Sequence, residues 1–171
     1  MRALLLVAAL LFAPVALIAA SPSALAFDAN GVALGGREAE VKKTFPSAHC
    51  KPLEWKTAAA DRRCDDGRIS FGGVQAKITF YLKADVIQAF DVRFDAGEIE
   101  RVKTHLKTIY GKPMAETTET VSRKGGEGKQ LSKTRWEKGD ERAVLTTHQD
   151  RRRGGLEVSR GNFPDEVYRV K

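Results

Sequence analysis

Val74, Ala76, Ile78, Phe80 and Leu82 alternate with Gln75, Lys77, Thr79, Tyr81 and Lys83. A strict apolar spacing of two requires an extended chain with one buried face and one wet face. After the short turn Lys83-Ala84-Asp85, Phe90, Val92 and Phe94 alternate with Asp91 and Arg93 and form the return strand. Gly72-Gly73 separates this hairpin from the preceding Arg68 to Phe71 segment.

The period then changes. From about Ala96 to Tyr110, the residues Ile99, Val102, Leu106, Ile109 and Tyr110 recur at helical spacing, with Arg101, Lys103 and Lys107 off that face. Asp95 suits the N-cap, Glu98 gives the spacing of a capping box, and Phe94 with Ile99 has the spacing of a hydrophobic staple. Gly111 suits the C′ position and Pro113 prevents continuation. A shorter helix is expected over about Arg37 to Phe45, entered through Gly35-Gly36 and ended by Pro46. Glu38 and Glu40 favour its first turn, and Lys42 and Lys43 its last.

Further strands are expected at Glu116 to Ser122, at Thr134 to Lys138 and Glu141 to Thr147 around Gly139-Asp140, and at Leu156 to Ser159. Arg123 to Lys129 and Gln149 to Gly155 read as polar, glycine-containing loops, and Asn162-Phe163-Pro164 opens a short C-terminal helix. Helix, strands, helix, strands with short turns implies an α+β fold: antiparallel sheet packed by short helices. Val41 and Phe45 before Pro46, and Leu106 and Tyr110 before Gly111 and Pro113, recur at an offset of 65 residues. That offset suggests a tandem helix-plus-sheet duplication with units 27–93 and 94–171 inside one domain.

Residues 1–26 have the parts of a secretory signal peptide: Arg2, an apolar run from Ala3 to Ala20, the break Ser21-Pro22-Ser23, and a small-x-small site at Ala24-Leu25-Ala26. The run is about as long as a membrane span (~20 residues). Pro14 and the Ser-Pro-Ser break favour cleavage over retention as an anchor. The expected product is a periplasmic or secreted chain from Phe27 to Lys171, 145 residues long and without a transmembrane anchor. Removing the leader takes away one basic residue and leaves 28 basic against 22 acidic residues, a net charge of +6. Export argues against nucleic acid as the partner. It leaves an envelope protein, an anionic lipid or an acidic glycan, beside a plain solvated surface.

Cys50 and Cys64 are the only cysteines, and an even pair in an exported chain reads as one disulfide. They form neither C-x-x-C nor a zinc set, and no metal spacing joins His49, His105 and His148. His105, beside Leu106 in the helix, reads as a half-buried packing residue. There is no G-x-S-x-G, and Gly35-Gly36, Gly72-Gly73 and Gly154-Gly155 lack the spacing of a phosphate or dinucleotide loop. Asp65-Asp66 and Asp165-Glu166 read as solvated turn residues. No catalytic residue, metal or cofactor is assigned. Trp55 and Trp136 either cap the core or share a binding face. With Arg123, Lys124 and Lys129 of one basic loop and Arg151, Arg152 and Arg153 of the other, they make up the candidate contact surface.

Leu34-Gly35-Gly36 followed by Glu40-Val41-Lys42-Lys43-Thr44-Phe45-Pro46 resembles the opening of small envelope proteins of the SmpA/OmlA type. The tandem layout resembles the β-lactamase-inhibitor-protein fold. The resemblance spans about Val32 to Gly111 and implies an antiparallel sheet used as a scaffold for protein contacts. Gly36 replaces the usual Thr or Ser cap, and the lipid-bearing cysteine is absent, which argues against membrane anchoring. The sequence therefore leads to a non-catalytic binding protein that contacts another envelope protein. The alternatives are a binder of anionic lipid or glycan, and an enzyme whose site is assembled from distant residues.

Overall fold

The computed structural model describes residues 26–121, 129–148 and 152–167. The chain opens with a small hairpin, β1 (Asp28–Ala29) and β2 (Val32–Ala33). Its turn, Asn30-Gly31, has φ of 52° and 87°, the left-handed pair a type I′ reversal requires. Then come α1 (Glu38–Thr44), β3 (His49–Pro52), β4 (Arg62–Phe71), β5 (Val74–Lys83) and β6 (Val86–Asp95). A 3-10 turn (Ala96–Glu98) leads into α2 (Ile99–Tyr110). β7 (Ala115–Val121), β8 (Lys129–Lys138), β9 (Glu141–His148), β10 (Arg153–Arg160) and α3 (Phe163–Glu166) complete the described chain.

β3 to β10 form one eight-stranded sheet in the order β3-β4-β5-β6-β10-β9-β8-β7, antiparallel at every pairing. α1 and α2 are each followed by a four-strand meander, and the last strands of the two meanders, β6 and β10, pair with each other. The sheet dominates the α+β architecture. No helix among the described residues is long and apolar enough to cross a membrane.

One face of this sheet carries the core. Phe71, Ile78, Phe80, Leu82, Phe90, Val92, Leu156, Val158 and Trp136 are buried there with Val41 and Phe45 near α1 and Val102, Leu106 and Tyr110 of α2. Ring contacts cross the layer: Phe45 meets Phe80 at 5.5 Å and Tyr110 meets Trp136 at 6.1 Å. Ile109 departs from the expected apolar stripe and is 39% exposed, because the buried line runs Val102, Leu106, Tyr110. His105 packs as expected, edge-on to Phe71 at 5.1 Å.

The caps show how local sequence and distant parts cooperate. Asp95 accepts from Gly97 N (2.8 Å) before α2, and Gly111 ends the helix at φ 85°. α1 has no Ser or Thr cap, and Asp85 in the β5–β6 turn substitutes for one, accepting from Glu38 N at 3.2 Å. Gly36 leaves the room this entry needs: a Cβ there would sit 3.0 Å from Ala33 O.

Three expectations are corrected. β10 begins at Arg153, so Arg153, Gly154 and Gly155 are strand rather than loop, pairing with Asp95, Phe94 and Arg93 of β6. Lys129 opens β8 opposite Val121 and is also strand. Asp65 and Asp66 lie in β4, on opposite faces, where Asp65 accepts from Thr79 Oγ1 (2.8 Å) and buried Asp66 from Ser47 Oγ (2.7 Å).

Ala84 and Asp85 both have positive φ, 48° and 67°, and alanine gains nothing locally from that conformation. Ala84→Asn, which suits a type I′ turn, is expected to raise stability by about 1 kcal/mol in urea unfolding. Cys50 and Cys64 pair across β3 and β4 and form a disulfide with no free cysteine remaining. Replacing both by serine is expected to lower stability by about 3 kcal/mol in the same assay, since the bridge closes a 14-residue separation.

Candidate binding face

Among the described residues, the second face of the sheet is covered only at one end. There Tyr81 and Ala89 pack with Ala60, Leu53, Trp55 and Phe163. Trp55 Nε1 donates to Val167 O (2.8 Å) and Thr57 Oγ1 to Glu166 O (2.6 Å), so the 53–60 segment and α3 hold each other over the sheet. Trp136 lies on the opposite, core face, 2% exposed, with Nε1 donating to Gly111 O (2.8 Å). The two tryptophans therefore do not share a surface. The even-odd alternation that buries Trp136 with α2 places it away from the strand face on which Trp55 packs.

The rest of this face is open and polar. Cross-strand register lines up its residues in rows. One row runs Lys77, Arg93, Gly155, Thr146 and Lys133, the next Thr79, Asp91, Glu157, Val144 and Arg135. Two adjoining depressions share Arg93, Arg152 and Arg153. Thr146, His148, Gly155 and Glu157 extend one of them, and Arg68, Lys77 and Asp95 the other. Five cations thus face two carboxylates. Arg68, Lys77, Arg93, Arg152 and Arg153 make no ion pair among the described residues. Three other arginines of this sheet are paired: Arg63 lies 3.0 Å from Asp65, Arg135 3.3 Å from Glu137 and Arg62 2.8 Å from Glu38.

Gly154 and Gly155 line the first of these depressions. Gly154 is there for packing, since a Cβ would come 2.5 Å from the Phe94 ring. Gly155 has no such neighbour: a Cβ there would meet nothing within 4 Å. A glycine within a strand costs roughly 0.5–1 kcal/mol against alanine, and it marks places where another backbone or a ligand approaches closely.

Asp91 and Glu157 face each other directly across β6 and β10. Partial burial raises the Asp91 carboxyl to about 6, Glu157 adds to the rise, and Arg93 and a hydrogen bond from Tyr81 OH (3.4 Å) oppose it. The face therefore becomes more cationic as pH falls through that value.

Of the residues singled out in the sequence, Arg152 and Arg153 stand at the rim of the depressions. Lys129 is on β8, next to the sheet edge, and Arg123, Lys124 and Arg151 lie outside the described residues. Arg68, Lys77, Arg93 and Gly155 were not foreseen as site residues. Their signal was present as the polar half of the strand alternation, but alternation does not say which polar face stays uncovered. His49, His105 and His148 sit on three separate elements. Glu38 lies beside Cys50 and Cys64, but their sulfurs are bonded to each other and offer no thiolate to a metal.

The folded state binds the Asp91 proton more tightly than the unfolded chain, so its favourable contribution holds at low pH and is lost as pH rises through about 6. Asp91→Asn is expected to stabilise the protein by about 2 kcal/mol near pH 7.5 and by nothing near pH 4, read from urea midpoints at the two pH values. No family model, curated protein or solved structure matches this chain.

Proposed function

We propose that the chain is an exported, non-catalytic binding protein whose open sheet face receives an acidic segment of another envelope protein. The observation that supports this most is the group of five cations, without ion pairs among the described residues, around two depressions, one of them lined by Gly154 and Gly155. Four of the five are arginines, whose planar fork suits carboxylates and whose side chains are favoured at interface centres. The disulfide fits an oxidising compartment outside the cytoplasm. Inhibitor-like use of a sheet, which the resemblance implies, would engage this same face.

An anionic lipid or glycan would use the same cations. The large exposed apolar residues among those described are Ile109 and Met114, on α2 and just before β7, and neither lines the depressions. Surface binding to lipid is strengthened by apolar insertion, so their position favours a protein segment over a bilayer. A catalytic reading would start from Asp91 and Glu157. Against it, the Asp91 carboxyl is already engaged by the Tyr81 hydroxyl.

The test compares wild type with Arg93→Glu/Arg153→Glu in pull-downs from envelope extract and in sedimentation with phosphatidylglycerol vesicles. The expected result is a protein retained by wild type, weakened at least about tenfold by the charge reversal and by added salt. Equal recovery by both proteins would overturn the reading. Retention on vesicles with no protein recovered would transfer the face to the lipid alternative.

A further inference from the structure

Glu141 is a charged residue in the core layer, 8% exposed, at the start of β9. Its Oε2 accepts a hydrogen bond from the backbone nitrogen of Phe27, 2.9 Å away and 114 residues distant in sequence. Phe27 is fully buried. Its ring lies 4.6 Å from that of Tyr110, with Lys138 Nζ 4.7 Å from its centre, and its carbonyl accepts from Leu34 N (3.0 Å). Ring and carbonyl together fix the position of the nitrogen. Lys138 and Arg160 are the cross-strand neighbours of Glu141, and Asp28 follows Phe27.

Phe27 is also the residue that follows Ala24-Leu25-Ala26. We infer that the Ala26–Phe27 bond is the processing site and that the α-ammonium group freed there forms a buried ion pair with Glu141. The inference rests on the export reading above. In the step itself, a signal peptidase uses water to break the Ala26 C–Phe27 N bond. The hydroxyl goes to the Ala26 carboxyl and the hydrogen to the Phe27 amine, which takes up a further proton near neutral pH. One amide donor thereby becomes a cation with three donors, at the point where a buried carboxylate already accepts. The new ammonium group sets a cation directly against that buried carboxylate, beside its cross-strand neighbour Lys138. Because Phe27 is fully buried, the cut has to precede closure of this corner.

The full chain is expressed with its own leader in an export-competent host, as wild type, with one alanine inserted between Ala26 and Phe27, as Glu141→Gln, and as both together. Intact mass gives the first residue, and urea unfolding gives stability. The expected product begins at Phe27. Insertion alone, which restores the amide, and Glu141→Gln alone, which strands the ammonium, each raise the unfolding equilibrium constant about a hundredfold or more. The combined variant recovers much of that loss, because a neutral amide then meets a neutral amide. A product beginning at Phe27 with a harmless insertion, or with losses that simply add, overturns the ion pair and leaves export standing. A product beginning elsewhere overturns the inference. Recovery of the intact chain from the cytosol overturns both.

Discussion

The pairing of β6 with β10 is the join on which both the core and the candidate site depend. It is made close by Phe94, whose ring lies over Gly154 at a distance no Cβ could share. On one side of the join, Val92 stands opposite Leu156 and Phe90 opposite Val158, and the four belong to the continuous core. On the other side the same register sets Arg93 beside Gly155 and Asp91 beside Glu157. A slip of one residue would exchange the two sets, putting Arg93 and Asp91 into the core and Val92 onto the open face. Apolar burial on the helix side therefore fixes the chemistry of the other side.

How much of this was legible in sequence depends on whether the signal was local. Alternation from Val74 to Lys83, the Asp95 cap and the Gly111 stop act over a few residues, and each predicted element formed nearly as read. Cys50 and Cys64 had one available pairing. Asn30-Gly31 is a strong short hairpin signal, but its strands are only two residues long and carry no alternation to flank it. Gly154-Gly155 read as loop because glycine disfavours strands, and only the distant Phe94 ring explains why Gly154 belongs in one. Asp85 as the cap of α1, and Trp55 and Trp136 on opposite faces, likewise follow from contacts between remote segments.

The open face also breaks local rules that the core obeys. It sets two carboxylates directly opposite each other, leaves cations without ion pairs among the described residues, and places an unsupported glycine within a strand. Like charges across a strand pair cost stability, and so does a strand glycine. On the helix face, by contrast, buried Asp66 is satisfied by Ser47 Oγ and Arg68 N, and the exposed carboxylate of Glu116 by Lys103 and Lys107. Departures of this kind on the open face are what the proposed binding role would lead one to expect, since functional sites break local rules that folding alone would keep.

The covered end of that same face gives the site its limits. Trp55, Phe163 and Tyr81 close the sheet where the 53–60 segment meets α3, so the proposed partner segment, if laid along the strands, would be stopped there. Asp91 accepts from the Tyr81 hydroxyl, which belongs to this cover, and its carboxyl owes its raised pKa first to burial and then to Glu157 opposite. A carboxyl held partly protonated in mildly acid solution sets less negative charge against Arg93 in the next row.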